Sequence, residues 1–331
     1  MVWVRQKHPA WGGRKIEARL KLDGLEGVPR ASTITGILHR HDLIDAKESL
    51  KRHELTRFER PWPNDLWQMD FKGEFKMADG RWCHPLTVLD DHSRYCLGLR
   101  ACADHKKGTV RQQLSEIFGR YGLPRQMLMD HGVPWCTPHS IYGWTELSVW
   151  LLRLDIAVTH GRVAHPQTQG KDERFHRTFK SELSPGPWIV DLPDAQVKFD
   201  PWRESYNHER PHEALGMNPP SSRYLVSQRQ YPAVLPEVQY GPQDQVRSVN
   251  PVGQFNFQGR HCKTSEAFKF ERIAMRPTIW DGLWEVYYSR QRIGWLDLRD
   301  SNRGSCNVPV LNRRPEDLRP PDNDAANDAA N

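Results

Sequence analysis

The stretch from His165 to Lys180, HPQTQGKDERFHRTFK, decides how the rest of the chain is read. Pro166 and Gly170 mark a loop, and from Lys171 onward neither Pro nor Gly interrupts the run until Pro185, so a helix is predicted to start where the loop ends. With about 3.6 residues per turn, Glu173, His176, Arg177 and Lys180 fall on one stripe, an acid followed by three side chains able to hold phosphate. Phe175, Phe179 and Leu183 fall on the opposite side, where they can pack. In isolation such a stretch more often means a solvated helix whose Glu and Arg pair in water. The remainder of the chain argues for more.

Two further acids each end an apolar, strand-like run: Asp70 in LWQMDFKGEF and Asp130 in RQMLMDHGVPW. Three acids brought from two strand ends and one helix would make a site for hard divalent cations, because Mg2+ takes oxygen ligands and keeps part of its shell for substrate phosphate. That combination suits phosphoryl transfer.

These segments resemble the Asp-Asp-Glu (DDE) catalytic core of the retroviral-integrase superfamily, specifically the transposases of bacterial insertion sequences. The resemblance is carried by WQMDFKG around Asp70, LDDHSRY from Leu89 to Tyr95, LMDHGVPW around Asp130, HPQTQGKDERFHRTFK around Glu173, and YNHERPHEALGMNPPSSRY from Tyr206 to Tyr224. It implies an α/β fold of the ribonuclease-H-like kind, a mixed sheet flanked by helices. It further implies Asp70, Asp130 and Glu173 as catalytic residues and ligands of two Mg2+ ions, for which Mn2+ substitutes. The implied partner is double-stranded DNA, both the element's terminal repeats and the target, cut and joined by a homo-oligomer on DNA. His176, Arg177 and Lys180 would then hold phosphates, and His165, Thr168, Gln169 and Lys171 would form the loop that grips the scissile region. One departure is the spacing of 43 positions between Asp130 and Glu173, longer than the commonest family spacing, which we assign to an insertion between Cys136 and Trp150. Two alternatives stay open: a nuclease or resolvase of the same fold without a joining step, and a DNA-binding regulator with an inactive core.

Composition bounds these readings. A chain of 331 residues suggests two or three domains, and no run approaches the roughly 20 apolar residues needed to span a bilayer. No membrane partner is expected. MVWVRQKHPAWGG at the start holds no apolar stretch of secretory length, so the expected location is the cytoplasm, with the nucleoid. The 6 cysteines form no C-x-x-C pair, which argues against a disulfide framework or a zinc knuckle. Net charge is +6 and the isoelectric point about 9.0, a modest excess that matters because it clusters. Arg5, Lys7, Arg14, Lys15, Arg19, Lys21, Arg30 and Arg40 crowd the first forty residues.

Residues 1–46 read as a helix-turn-helix whose second helix begins at Ala31 or Ser32, with Ser32 as candidate N-cap, and buries Ile34, Ile37 and Leu38. Thr33, Thr35, His39 and Arg40 would face a major groove, with Arg14 and Lys15 on the DNA backbone. The bland reading is a helical hairpin packed on the core. The resemblance also implies a further helical module upstream. Residues 47–61 read as a linker and 62–225 as the core. There the expected strands are Leu66–Lys76, Pro85–Leu89, Tyr95–Ala101, Gln126–Met129 and Ile156–Thr159, and the expected helices are Lys107–Tyr121, Thr145–Leu154 and Trp202–His208. In LDDHSRY, Asp90 or Asp91 is read as capping a turn, with Arg94 as ion partner. After a linker over 226–245, five short strand-like pieces within 246–311 read as a small β-barrel, SH3-like by resemblance, with Lys263, Lys269, Arg272, Arg276 and Arg290 available to nucleic acid. Residues 312–331 read as a disordered tail.

Overall fold

The computed structural model describes residues 1–44, 59–130, 132, 134–136, 143–160, 170–183, 185–299 and 305–308. The first linker over most of its length, residues 137–142 of the insertion, the loop carrying His165, Thr168 and Gln169, and the C-terminal tail lie outside the described residues.

The chain divides into two compact units, Met1–His131 with Val158–Tyr231, and Gly132–Ala157 with the residues from Pro232 onward. In the first, α1 (Val2–Lys7), α2 (Gly13–Leu22) and α3 (Ala31–Arg40) share a core of Val4, Trp11, Ile16, Leu20, Ile34 and Leu38. A Cβ at Gly13 would come within 2.3 Å of the Ala31 carbonyl oxygen, so α2 and α3 touch where α2 has no side chain. The expected Ser32 cap is absent: α3 starts at Ala31 behind an extended Arg30, and Ser32 is exposed.

The central sheet has six strands, β1 (Trp67–Phe71), β2 (Phe75–Lys76), β3 (Trp82–Asp90), β4 (Cys96–Cys102), β5 (Gln126–Met129) and β6 (Ala157–His160), in the order β2-β3-β1-β5-β6 with β4 on β3. The single strand expected over Leu66–Lys76 is broken in two, since Gly73 adopts a φ of +94° between β1 and β2. β1 runs antiparallel to β3 and parallel to β5, which makes the sheet mixed.

Helices cover both faces. α4 (Lys107–Tyr121) lies against Gly98, where a Cβ would meet Ile117 at 2.4 Å. Its C-terminus falls where Gly122 takes a φ of +73° beside the Ser227 and Arg229 carbonyls, too close for any Cβ. Leu99, the next residue on β4 and therefore on the opposite face, joins Cys96, Phe175, Phe179, Phe199 and Tyr206 in the core under α6 (Gly170–Leu183) and α7 (Leu192–His208). Burying Phe175 and Phe179 contributes about 1.5–3 kcal/mol each. α7 begins ten residues before the expected Trp202, N-capped by Asp191, which accepts from the Asp194 amide at 2.9 Å. Pro201 reads as a boundary in sequence, but it sits on the exposed side of the helix, where the missing hydrogen bond is tolerated.

The second unit contains α5 (Glu146–Arg153), N-capped by Thr145, and seven strands: β7 (Gln245–Ser248), β8 (Gln254–Phe257), β9 (Arg260–Lys263), β10 (Arg272–Pro277), β11 (Leu283–Tyr288), β12 (Gln291–Asp297) and β13 (Ser305–Asn307). All five expected strand-like pieces are strands. They pair as two sheets, β12-β11-β10-β7 and β13-β9-β8, instead of the single closed barrel expected. Alternation along a strand signals burial on one face and says nothing about which edges meet. No helix among the described residues is long and apolar enough to cross a membrane.

Candidate active site

Parallel pairing of β1 and β5 sets Met69 opposite Met129, which brings the next residues, Asp70 and Asp130, to neighbouring positions at the same edge of the sheet. Adjacent strands lie about 4.8 Å apart, so the two carboxylates act on one another. Burial, together with the negative charge of Asp130, pushes the Asp70 carboxyl up to about 6. Two acids held together against their repulsion are a natural donor pair for a hard cation.

Glu173 lies in the first turn of α6 and is exposed. The helix is tied to β1 through Thr87, whose hydroxyl donates to the Asp70 carbonyl at 2.9 Å and lies 3.0 Å from His176 Nε2. Because the single hydroxyl proton goes to Asp70, His176 must donate through Nε2. Burial and the nearby Lys72 push the His176 ring down to about 4, so it is neutral. His176 therefore departs from the phosphate-facing stripe: its ring turns inward onto β3, while Arg177 and Lys180 are exposed as that stripe requires. The triad is not fully assembled. Among the described residues no three His, Cys, Asp or Glu side chains stand close enough together to hold a metal ion, so Asp70 and Asp130 meet without Glu173.

Lys171 also differs from expectation, since its ammonium is ion-paired to Asp91 and donates to the Asp91 carbonyl at 3.1 Å. Asp91 is buried and accepts in addition from Gln68 Nε2 and the Arg60 amide, each at 2.7 Å. Asp90 caps the turn, accepting from the amides of Asn64 at 3.1 Å and His92 at 3.3 Å. Arg94 pairs with Glu59 at 2.8 Å, and its Nη1 donates to the Asp91 backbone carbonyl, not to the carboxylate. Asp172, which the sequence reading passed over, is buried with Oδ1 unpartnered, and burial followed by Asp70 and Asp91 raises its carboxyl well above the usual range. Its only sequence signal was an acid on the packing side of an amphipathic helix.

At the N-terminus Thr33 and Arg40 are exposed, whereas the Thr35 hydroxyl is used within α3, donating to the Ala31 carbonyl at 2.8 Å. Arg14 is exposed and faces Glu213 at 3.7 Å; Lys15 is half-buried. In the YNHERPH stretch, Asn207 brackets Cys96, accepting from its amide at 2.7 Å and donating to its carbonyl at 2.9 Å, and Arg210 forms a buried pair with Glu182. This motif clamps α7 to β4 and to α6. In the second unit Lys269, Arg276 and Arg290 pair with Glu146, Asp244 and Asp155 at 2.8, 2.6 and 3.3 Å.

Residues 60–166 match an integrase core domain model and residues 154–220 a second integrase core domain model. Residues 244–304 match the C-terminal domain of the IS481 transposase family. The chain thus has the domain content of a bacterial insertion-sequence transposase with an integrase-like core. It is 28% identical over 166 residues to a 39.2 kDa protein of insertion element IS476 from Xanthomonas euvesicatoria, covering 48% of this chain and 44% of the relative. Identity is again 28%, over 161 residues, to a 31.7 kDa protein of insertion element IS407 from Burkholderia multivorans, covering 48% and 54%. The aligned part therefore spans about half the length of these relatives. Among solved structures, the catalytic core of HTLV-2 integrase in complex with magnesium covers 50% of this chain and 99% of its own at 13% identity, with a TM-score of 0.40. A simian T-cell lymphotropic virus intasome in complex with PP2A regulatory subunit B56 gamma covers 84% and 90% at 16% identity and the same TM-score of 0.40.

Proposed function

We propose that the chain is a DDE transposase that cuts DNA at the ends of its element and joins the freed strands to target DNA. The observation that carries this reading is the register that sets Asp70 beside Asp130 at one sheet edge, with Glu173 in the first turn of a helix tied to the same strand. Asp70 and Asp130 would hold divalent cations, Mg2+ or Mn2+, with Glu173 completing the set once it approaches the pair. Such ions would supply an activated oxygen nucleophile and charge stabilisation for the leaving oxygen. The chain's own contribution is to hold the half-buried Asp70 beside the exposed Asp130 at one sheet edge and to align the phosphate. Arg177 and Lys180, exposed on the turns after Glu173, are placed to hold backbone without reading sequence. Lys171 would fix Asp91 under the site, and His165, Thr168 and Gln169 would act from the loop ahead of α6.

Thr33 and Arg40 on α3 are the residues we assign to base contacts in a helix-turn-helix, and Arg14 to the backbone. Two DNA ends processed together would need at least two copies of the chain. Asp70→Asn should abolish Mg2+-dependent cleavage of duplex carrying the element's ends while leaving its binding nearly intact; retained cleavage would overturn the assignment. Strand transfer with labelled ends separates a transposase from a nuclease of the same fold. The separation of Glu173 from the acid pair favours one second reading, a DNA-binding regulator with an inactive core. Absence of cleavage in both Mg2+ and Mn2+ would select it.

A further inference from the structure

A second charge imbalance, opposite in sign, lies where the N-terminal helices rest on the core. α2 and the turn before it are held down by the Trp11 indole, which donates to Glu182 at 3.2 Å, by Arg19, which donates to the Glu209 carbonyl at 3.4 Å, and by Arg14 facing Glu213. Glu182 is used up there: it also accepts from the Trp202 indole at 3.2 Å and pairs with the buried Arg210. Around this seam stand Lys15 on α2, Arg174 on α6, and Arg210 and His212 beyond α7. Lys15 is half-buried and, like Arg174, has no ion pair among the described residues. Lys15 feels Arg210 and Arg174 as like charges and only Glu213 as an opposite one, and His212 feels Lys15, Arg174 and Arg210. His212 Nε2 is buried without a hydrogen-bond partner, its ring 4.9 Å from that of Tyr206.

We propose that Lys15, Arg174 and His212 line a phosphodiester-binding cleft in which duplex DNA seats its backbone between the N-terminal helices and α6. The proposal rests on the reading of the chain as a DNA-processing enzyme and adds a site to it. Lys15 is half-buried and Arg210 buried beside the exposed Arg174, and like charges taken out of water carry a cost that an entering anion offsets. A phosphate supplies the missing charge, several acceptors for the ammonium and guanidinium, and a partner for the orphaned imidazole nitrogen. The position suits a polymer more than a free anion. Arg174 directly follows Glu173, and Arg174, Thr178 and Glu182 recur at four-residue steps, so the row runs about 12 Å along α6 from the acid site to the seam. A strand whose scissile phosphate sits at Asp70 would place a later phosphate beside Arg174, at the start of that row.

The test measures binding of the full chain to a fluorescent duplex as KCl is raised, comparing wild type, Lys15→Met with Arg174→Gln, and the charge-keeping pair Lys15→Arg with Arg174→Lys. Loss of two phosphate contacts should flatten the log–log salt slope by about 1.8 and shrink the affinity lost between 50 and 200 mM salt by about tenfold. The charge-keeping pair should retain the wild-type slope. An unchanged slope in the neutral pair, with circular dichroism and melting showing it folded, overturns the cleft while leaving the enzymatic reading intact. If the neutral pair does not fold, a charge-keeping pair that folds but has lost the slope would equally refute a site built on charge. A wild-type chain that binds no duplex removes both readings, whereas a chain that binds with the expected slopes but never cleaves in Mg2+ or Mn2+ keeps the cleft and loses the enzyme.

Discussion

The edge of the sheet at Asp70 and the seam at Lys15 are the same electrostatic situation with the sign reversed. At one, burial and Asp130 push the Asp70 carboxyl up; at the other, burial and Arg210 push the Lys15 ammonium down, with Glu213 pulling the other way. Folded chains seldom keep such imbalances for stability, because rearranging one surface side chain would relieve them. The contrast teaches which counter-ion each place lacks: a compact hard cation at the strand ends, a polyanion at the seam. The strongest way to break the comparison is Asp70→Asn. Besides losing cleavage to background, that variant should lose the rise in melting temperature that Mg2+ produces in the wild type, while its salt slope for duplex binding stays the same. A Mg2+ shift that survives the substitution would place the cation elsewhere.

The next largest effect falls on the acid that belongs to the basic side. Glu182 neutralises Arg210 and receives both indoles, so Glu182→Ala leaves a buried guanidinium without its partner. Breaking a buried pair from one side costs about 3–5 kcal/mol. Thermal melting should show that loss, and the N-terminal helices should become easier to cleave with protease. The Mg2+ shift should persist at temperatures where the variant is folded. A variant as stable as wild type would mean that the seam does not depend on this pair.

How much of this was legible beforehand divides along the same line. Asp70, Asp130 and the α4 and β5 boundaries could be read because each rests on local pattern: an apolar run ending in an acid, or a helical period stopped by Gly122. Phe175 and Phe179 were assigned to packing on the same grounds and are buried. Periodicity gave the face of α6 but not its rotation, so His176 was read as facing phosphate when it in fact turns onto Thr87. Lys171 was read as part of the loop gripping the scissile region because its partner, Asp91, is distant in sequence, and the seam was invisible because Lys15, Arg174 and His212 come from three separate segments. Closure of the C-terminal strands depends likewise on edges that alternation does not encode. His176→Asn tests the inward placement: it should cost about 1–2 kcal/mol of stability for the lost hydrogen bond and leave the salt slope unchanged, whereas Lys180→Ala should flatten that slope by about 0.9. A flatter slope for His176→Asn would restore its phosphate role.

The smallest effect is also the most specific to the seam, because it follows from protons. Burial and then Arg210, opposed by Glu213 and helped least by Arg174, push the Lys15 ammonium from its usual 10.5 down to about 7. Between those values the unfolded chain holds a proton that the folded chain has released, so stability rises with pH across that window, and the full cost of the charged lysine is present below it. A phosphate entering beside Lys15 favours the charged form. Duplex binding above pH 7 should then take up a proton, and affinity should fall as pH rises, by at most about tenfold per pH unit, the limit for one coupled proton. Lys15→Arg keeps its charge throughout this range, so its binding should lose that pH dependence while retaining the wild-type affinity near neutrality. Titrating binding against pH for the two proteins at constant salt checks this, and parallel curves would show that Lys15 does not meet the anion.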